Sequence, residues 1–291
     1  MHRLWQNVVE PVLEATRPAV ILEIGASDGR NTEHLLEYCR KKGGVCHTVD
    51  PVPGFDVAQW QARYGDVFVF HRRTSLEALP EIPVADVALI DGDHNWYTVF
   101  HELRLIENRA RAERRDFPVI VLHDVGWPYG RRDLYYDPST IPAEHRRPFR
   151  RGGMRPGHAE LVDEGGLNPS FHNAVSEGGE RNGVLTAVED FVKQTERPVE
   201  LTVVPGIHDL GILCSKDTVS ANERLRELLE RFRSADFLAR QCRLVEKRRV
   251  KQVMRSTELR RQLKRAKRRV EELESRMLPA EAEAPATQSE T

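Results

Sequence analysis

At 291 residues, with 40% hydrophobic and 31% charged residues, the chain is long enough to bury a full core and still carry a segment outside it. Its formal net charge of -1 excludes a global attraction to polyanions, so any such attraction must come from charges segregated along the chain. No apolar run approaches the ~20 residues of a bilayer span and the N-terminus lacks the apolar core of a secretory signal, so a soluble cytoplasmic protein is expected.

Leu4, Trp5, Val8, Val9, Val12 and Leu13 recur at helical spacing and Pro18 closes the segment, which predicts a packing helix. Residues 20–24 form a short apolar run that breaks into Gly25-Ala26-Ser27-Asp28-Gly29, after which Leu35, Leu36 and Cys39 mark one face of a helix. Gly25 and Gly29 suit a turn with unusual backbone angles and close approach to a ligand, and Asn31 or Thr32 can cap the helix that follows. Two glycines by themselves read equally well as any strand-to-helix corner of an α/β domain. A second strand, 45–49, ends in Asp50, a carboxylate placed for the ribose hydroxyls of a nucleoside ligand, and Glu23 adds an acid at the end of the first strand. The four cysteines, Cys39, Cys46, Cys214 and Cys242, are scattered without a Cys-x-x-Cys pair and fit reduced thiols.

A loop at 51–55 leads to a short helix through Trp60 and Tyr64, then to a third strand at 67–71 and a turn in which Ser75 opens a helix. Strand four, 86–90, delivers the densest polar cluster in the chain, Asp91-Gly92-Asp93-His94, followed by a helix from Asn95 to about Arg115. Strand five, 119–122, ends in His123-Asp124. Ligands of an open parallel sheet lie beyond the carboxyl ends of its strands, so Asp50, Asp91 and Asp124 are expected at one rim. From 126 to 183 the pattern collapses into turns rich in aromatic, Arg and His residues, among them Tyr129, Tyr136 and His172. This segment reads as a substrate-binding insertion or lid, with a disordered loop as the alternative. Val184, Leu185, Val188, Phe191 and Val192 mark a helix, and 199–204 and 210–214 read as two strands with a tight connection.

Glu23-x-Gly25-x-Ser27-x-Gly29, with Asp50 at the next strand end, resembles the first two motifs of class I S-adenosylmethionine (SAM) dependent methyltransferases; Ser27 stands where many members carry a middle glycine. The resemblance covers about residues 18–215. It implies an α/β fold with a Rossmann-like seven-stranded sheet, the last strand antiparallel, flanked by helices. It further implies that Glu23, Gly25, Ser27, Gly29 and Asp50 hold SAM, and it sets Ser75 beside the adenine, although Ser75 reads equally as a helix N-cap. Asp91 with His123-Asp124 resembles the metal positions of cation-dependent small-molecule O-methyltransferases, where an acid after strand four joins an acidic pair after strand five. His123 replaces the first acid of that pair. Asp91, His123 and Asp124 suit Mg2+ or Mn2+, with His123 favouring a softer ion; the alternative is that His123 and Asp124 hold the lid by hydrogen bonds. Asp91 and His94 are the catalytic candidates, His94 as general base supported by Asp93, with His172 in reserve. The Asp91-Gly92-Asp93-His94 signature resembles O-methyltransferases that modify sugars and other natural-product hydroxyls.

From Ala221 to Leu278 there is no Gly or Pro, and Leu259, Leu263, Ala266, Val270, Leu273 and Met277 step by four and three as a heptad seam. A long helix pairing with a copy of itself is expected. Its basic residues, including Lys247-Arg248-Arg249 and Lys267-Arg268-Arg269, are a solvated coiled-coil face or a contact for nucleic acid, an anionic membrane surface or an acidic partner. The expected organisation is a SAM-binding domain at 1–218 with its insertion at 126–183, a basic helix at 219–278 and a disordered tail at 279–291. The expected activity is methyl transfer from SAM to a hydroxyl of a small molecule, a sugar or glycosylated metabolite. The alternatives are a nicotinamide dinucleotide in the same turn, for which no hydride-transfer site is visible, and an inactive methyltransferase-fold adaptor acting through the basic helix. Acids retained at three strand ends favour the enzyme.

Overall fold

The computed structural model describes residues 1–277; the expected tail at 279–291 lies outside the described residues. Short runs with apolar residues on both faces form strands that must be covered from both sides. The strands β1 (Val20–Ile24), β2 (Val45–Val49), β3 (Phe68–His71), β4 (Val87–Ile90) and β5 (Val119–His123) pair in parallel. Three strands of the insertion follow, β6 (Leu134–Tyr135), β7 (Phe149–Arg151) and β8 (His172–Ala174), and then β9 (Val199–Val204) and β10 (Leu210–Ser215). The main sheet has seven strands in the order β3-β2-β1-β4-β5-β10-β9, and β10 runs antiparallel to both neighbours. The reversal between β1 and β4 is the switch point that opens a ligand crevice at the carboxyl ends of these strands.

Alternate residues point into two apolar layers, as the period of a strand requires. Ile21, Val87, Leu89 and Val121 face one layer, with α1 (Glu10–Thr16) and α2 (Arg30–Lys42). Leu22, Ala88, Ile90 and Leu122 face the other, with α4 (Ser75–Ala78), α5 (Trp96–Ala112) and α6 (Val184–Gln194). The helix α3 (Val57–Tyr64) lies between β2 and β3 in the chain, and α7 (Lys216–Ala221) follows β10. No helix among the described residues is long and apolar enough to cross a membrane.

Two expectations change. The uninterrupted stretch from 221 predicts one long helix, but it breaks at Ser234 into α8 (Glu223–Arg233) and α9 (Ala235–Met277). The Ser234 hydroxyl donates to the Arg231 carbonyl at 2.7 Å and accepts from the Phe237 amide at 3.2 Å, a local bonding pattern that competes with helix continuation. Leu225, Leu228, Leu229 and Phe232 of α8 are buried in the first layer, so the first compact unit extends to Ala239, beyond the expected 218. A second unit begins at Arg240. There the seam positions Leu259, Leu263, Val270 and Leu273 are 55%, 57%, 52% and 44% exposed, which leaves an apolar row without cover within its own unit.

The insertion is folded, not disordered: β6, β8 and β7 pair as an antiparallel sheet over a small core of Tyr129, Leu134, Met154 and Leu161. Its polar residues replace the missing apolar volume. Arg132 is fully buried and donates to the carbonyls of Ala159, Ala174 and Val175, while Asp133 accepts from the amides of Trp96 and Gly183 and from the Tyr135 hydroxyl. Buried charges of this kind need such partners, and among the described residues these bonds leave only the Nε of the Arg132 guanidinium without one.

Glu102 on α5 is a different case, buried with neither carboxyl oxygen in good hydrogen-bonding geometry among the described residues. Burial pushes it up to about 8, against a smaller opposing pull from the Ser75 hydroxyl. A carboxyl whose folded value lies above its unfolded value holds its proton more tightly in the native chain. Stability therefore falls as pH rises from about 4.5 through about 8. Glu102→Gln, which cannot ionise, is expected to raise the thermal midpoint at about pH 9 and to change it little at about pH 4. Thermal scans at both values check this, and equal shifts at the two would contradict it.

Candidate active site

The turn from β1 into α2 is shaped by one contact. Gly25 has φ +88°, and a Cβ there would lie 2.3 Å from the backbone oxygen of Asp91, so the turn and the end of β4 touch through bare backbone. The Gly25 amide donates to the Val49 carbonyl and the Asp91 amide to the Ile24 carbonyl, each at 2.9 Å. Three strand ends are thereby drawn together. Ser27 also takes a left-handed angle, φ 49°, and stays exposed at the rim. Gly29, at φ +80°, is the N-cap of α2, and an added Cβ would meet the Trp60 ring at 2.6 Å.

Asn31 and Thr32 do not cap this helix; both lie inside it. The Asn31 amide instead donates to Glu23 at 2.9 Å, because Glu23 is buried beneath the turn and needs donors. Burial pushes the Glu23 carboxyl up to about 7, against hydrogen bonds that include Asn31 and Thr48. Asp50 is half-buried and ties the surface of the turn: Oδ2 accepts from the amides of Ala26 and Ser27 at 2.9 Å each, and Oδ1 from that of Val52 at 2.8 Å. Thr74, not Ser75, caps α4, in a capping box with Glu77, and Ser75 is buried behind it.

At the ends of β4 and β5 the structure brings together Asp91, His123 and Asp124, whose ligating atoms all lie within 4.8 Å of one another. His123 Nδ1 stands 3.2 Å from Asp91 Oδ1 and 2.6 Å from Asp124 Oδ2. Asp91 Oδ2 also accepts from the α-amine of Met1 at 2.8 Å. Burial opposes ionisation in all three residues and attraction between charges overrides it, Asp91 responding to His123 and the Met1 amine and Asp124 first to the His94 ring and then to His123. The His123 imidazole is pushed up to about 9, and both carboxyls are held below the usual range.

His94 joins the group from the start of α5, with Nδ1 3.5 Å from Asp124 Oδ2, an electrostatic distance longer than a good hydrogen bond. Its expected support, Asp93, is turned to the Thr98 hydroxyl at 3.0 Å; Asp124 is the carboxylate facing the ring. The ring stacks on Tyr129, with centroids 5.6 Å apart and planes 8° from parallel. His172 does not join the cluster among the described contacts. It stands on β8, with its ring edge-on to Phe149 at 5.7 Å. Sequence reading noted Tyr129 among the aromatics of the insertion but carried no signal that it would back His94.

A family model described as a methyltransferase domain matches residues 22–125, from β1 through the Asp124 corner to the start of the insertion. No match to the chain is found among curated proteins. Among solved structures, the SAH-bound Podospora anserina methyltransferase PaMTH1 is 16% identical, with 72% of this chain and 77% of that chain covered at a TM-score of 0.47. The Burkholderia thailandensis 1,6-didemethyltoxoflavin-N1-methyltransferase is 18% identical, covering 74% and 83% at 0.39. Human N-acetylserotonin methyltransferase is 15% identical, covering 74% and 53% at 0.40. Likenesses this loose say nothing about which atom is methylated. The family match and the seven-stranded sheet with its antiparallel β10 agree: residues 22–125 are similar to a methyltransferase domain, and they lie in a sheet of the order expected for the class I fold.

Proposed function

We propose that the chain transfers a methyl group from SAM to a hydroxyl of a small molecule, a sugar or glycosylated metabolite, at the Asp91–His123–Asp124 rim. The observation that carries this reading is the convergence of those residues and His94 against the same strand end that abuts the Gly25 turn. The sulfonium is already an activated leaving group, so the protein's tasks are to align the acceptor and to receive its proton. Gly25, Ser27 and Gly29 shape the turn that would take SAM, Asp50 offers its carboxylate at the ribose position, Glu23 braces the turn from below and Ser75 lies behind the adenine side.

His94 is the proton acceptor in this reading. Nδ1 faces Asp124 at 3.5 Å, so protonation would leave an imidazolium beside a carboxylate. SAM held at the turn would supply the methyl group, and His94 would take the proton of the acceptor hydroxyl. Asp91, His123 and Asp124 would fit Mg2+ or Mn2+ by donor type and spacing once His123 gives up its proton, since only the neutral imidazole has a lone pair for an ion. Such an ion would acidify the acceptor hydroxyl. The sugar assignment is supported by the Asp91-Gly92-Asp93-His94 signature.

The exposed row Leu259, Leu263, Val270 and Leu273 supports pairing of α9 with a second copy of the chain. Contact of its basic faces with nucleic acid or an anionic membrane rests on charge alone and is the weaker reading.

His94→Ala is expected to lower kcat by ~10²–10⁴-fold while SAM affinity is kept. Labelled-methyl transfer to a panel of hydroxylated sugars measures this, and an unchanged kcat would remove His94 from the reaction. In the same assay a chelator should abolish turnover and Mg2+ or Mn2+ restore it; indifference to both would exclude the cation. Ending the chain after Ala239 should convert an oligomer to a monomer in sedimentation, and an unchanged mass would refute pairing through α9.

A further inference from the structure

An aromatic row leads outward from the reactive cluster. Tyr129 is its buried end: its hydroxyl accepts from the Asn168 amide at 2.8 Å and donates to the Asn173 side-chain oxygen at 3.3 Å, which fixes the ring that backs His94. Tyr136 lies at a second side of His94, with centroids 5.8 Å apart and planes at 57°. Phe171 stands perpendicular to Tyr136 at 5.6 Å. These last two rings are 53% and 37% exposed.

Neither ring belongs to the small core of the insertion. Leu134 and Tyr135 are buried in it, and the chain then sends Tyr136 out to solvent; Phe171 likewise projects just before β8. Tyr136 contacts His94, whose ring faces Asp124, so the ring stands beside the acid cluster and not on a remote face. Adjacent exposed rings beside a polar reactive cluster are the arrangement of a binding wall.

Resting on the methyl-transfer reading above, we propose that Tyr136 and Phe171 are the specificity-determining wall of the acceptor site and that the acceptor is a ring laid against them, with its hydroxyl directed to His94. A flat face is needed for stacking; an open-chain alcohol would reach the cluster but gain nothing from the wall. A pyranose and a phenolic ring share this chemistry.

The test is calorimetric titration of the full chain, in the presence of S-adenosylhomocysteine, with methyl glucoside, catechol and ethylene glycol. At least one ring probe should bind about tenfold more tightly than the open-chain diol. Tyr136→Ala and Phe171→Ala should each reduce that preference severalfold, and Tyr136→Phe should retain it. The ring probe that binds identifies the pyranose or phenolic source. Absence of any ring preference, including no binding by any probe, or a preference that survives both alanine variants, would overturn the proposal. Binding of S-adenosylhomocysteine is read in the same titration: if it binds and ring preference is absent, the wall alone fails, whereas if it does not bind, the methyl-transfer reading fails and the wall with it.

Discussion

The site depends on a backbone contact with no room for a side chain. At Gly25 the β1–α2 turn presses on the carbonyl of Asp91, and a Cβ would fall 2.3 Å from that oxygen. This contact sets the separation between the turn that would receive the nucleoside and the acids at the end of β4. Two amide bonds extend the constraint, Asp91 to the Ile24 carbonyl of β1 and Gly25 to the Val49 carbonyl of β2. In the proposed reaction a methyl donor and its acceptor must meet in line, which a fixed distance between the turn and the strand-end acids would serve.

Within that frame the acids divide by environment. Glu23, buried and braced by Asn31 and Thr48, supports the turn from inside, whereas Asp50 stands half-buried with its oxygens on loop amides. Asp91 and Asp124 share His123 between them, so two close carboxylates coexist by means of an internal cation. A fourth ionisable group, His94, sits almost fully buried at their edge, between Asp124 and the Tyr129 ring. In the proposed reaction this charge balance holds the cluster ready for an acceptor whose hydroxyl proton must leave.

The sequence was legible where local chemistry decides local structure. Apolar runs marked every strand of the main sheet, and the acids at their ends mapped to one rim because a parallel sheet leaves few other places for them. Reading failed where the outcome depended on distant partners. Asn31 carried a cap preference but was claimed by buried Glu23, and Asp93, adjacent to His94 in sequence, was claimed by Thr98. The insertion offered no apolar periodicity because its order rests on Arg132 and Asp133, whose carbonyl and amide partners are dispersed along the chain. A glycine-free, proline-free run likewise gave no warning that one serine hydroxyl would end α8.

Calorimetric titration with SAM, S-adenosylhomocysteine and NAD asks whether this rim takes SAM through the β1 turn and Asp50. The first two should bind and NAD should not, and Asp50→Asn should weaken both by about tenfold or more with the far-ultraviolet dichroism unchanged. Failure of SAM to bind the wild-type chain, or an Asp50→Asn variant that binds it equally well, would rule out this mode of binding.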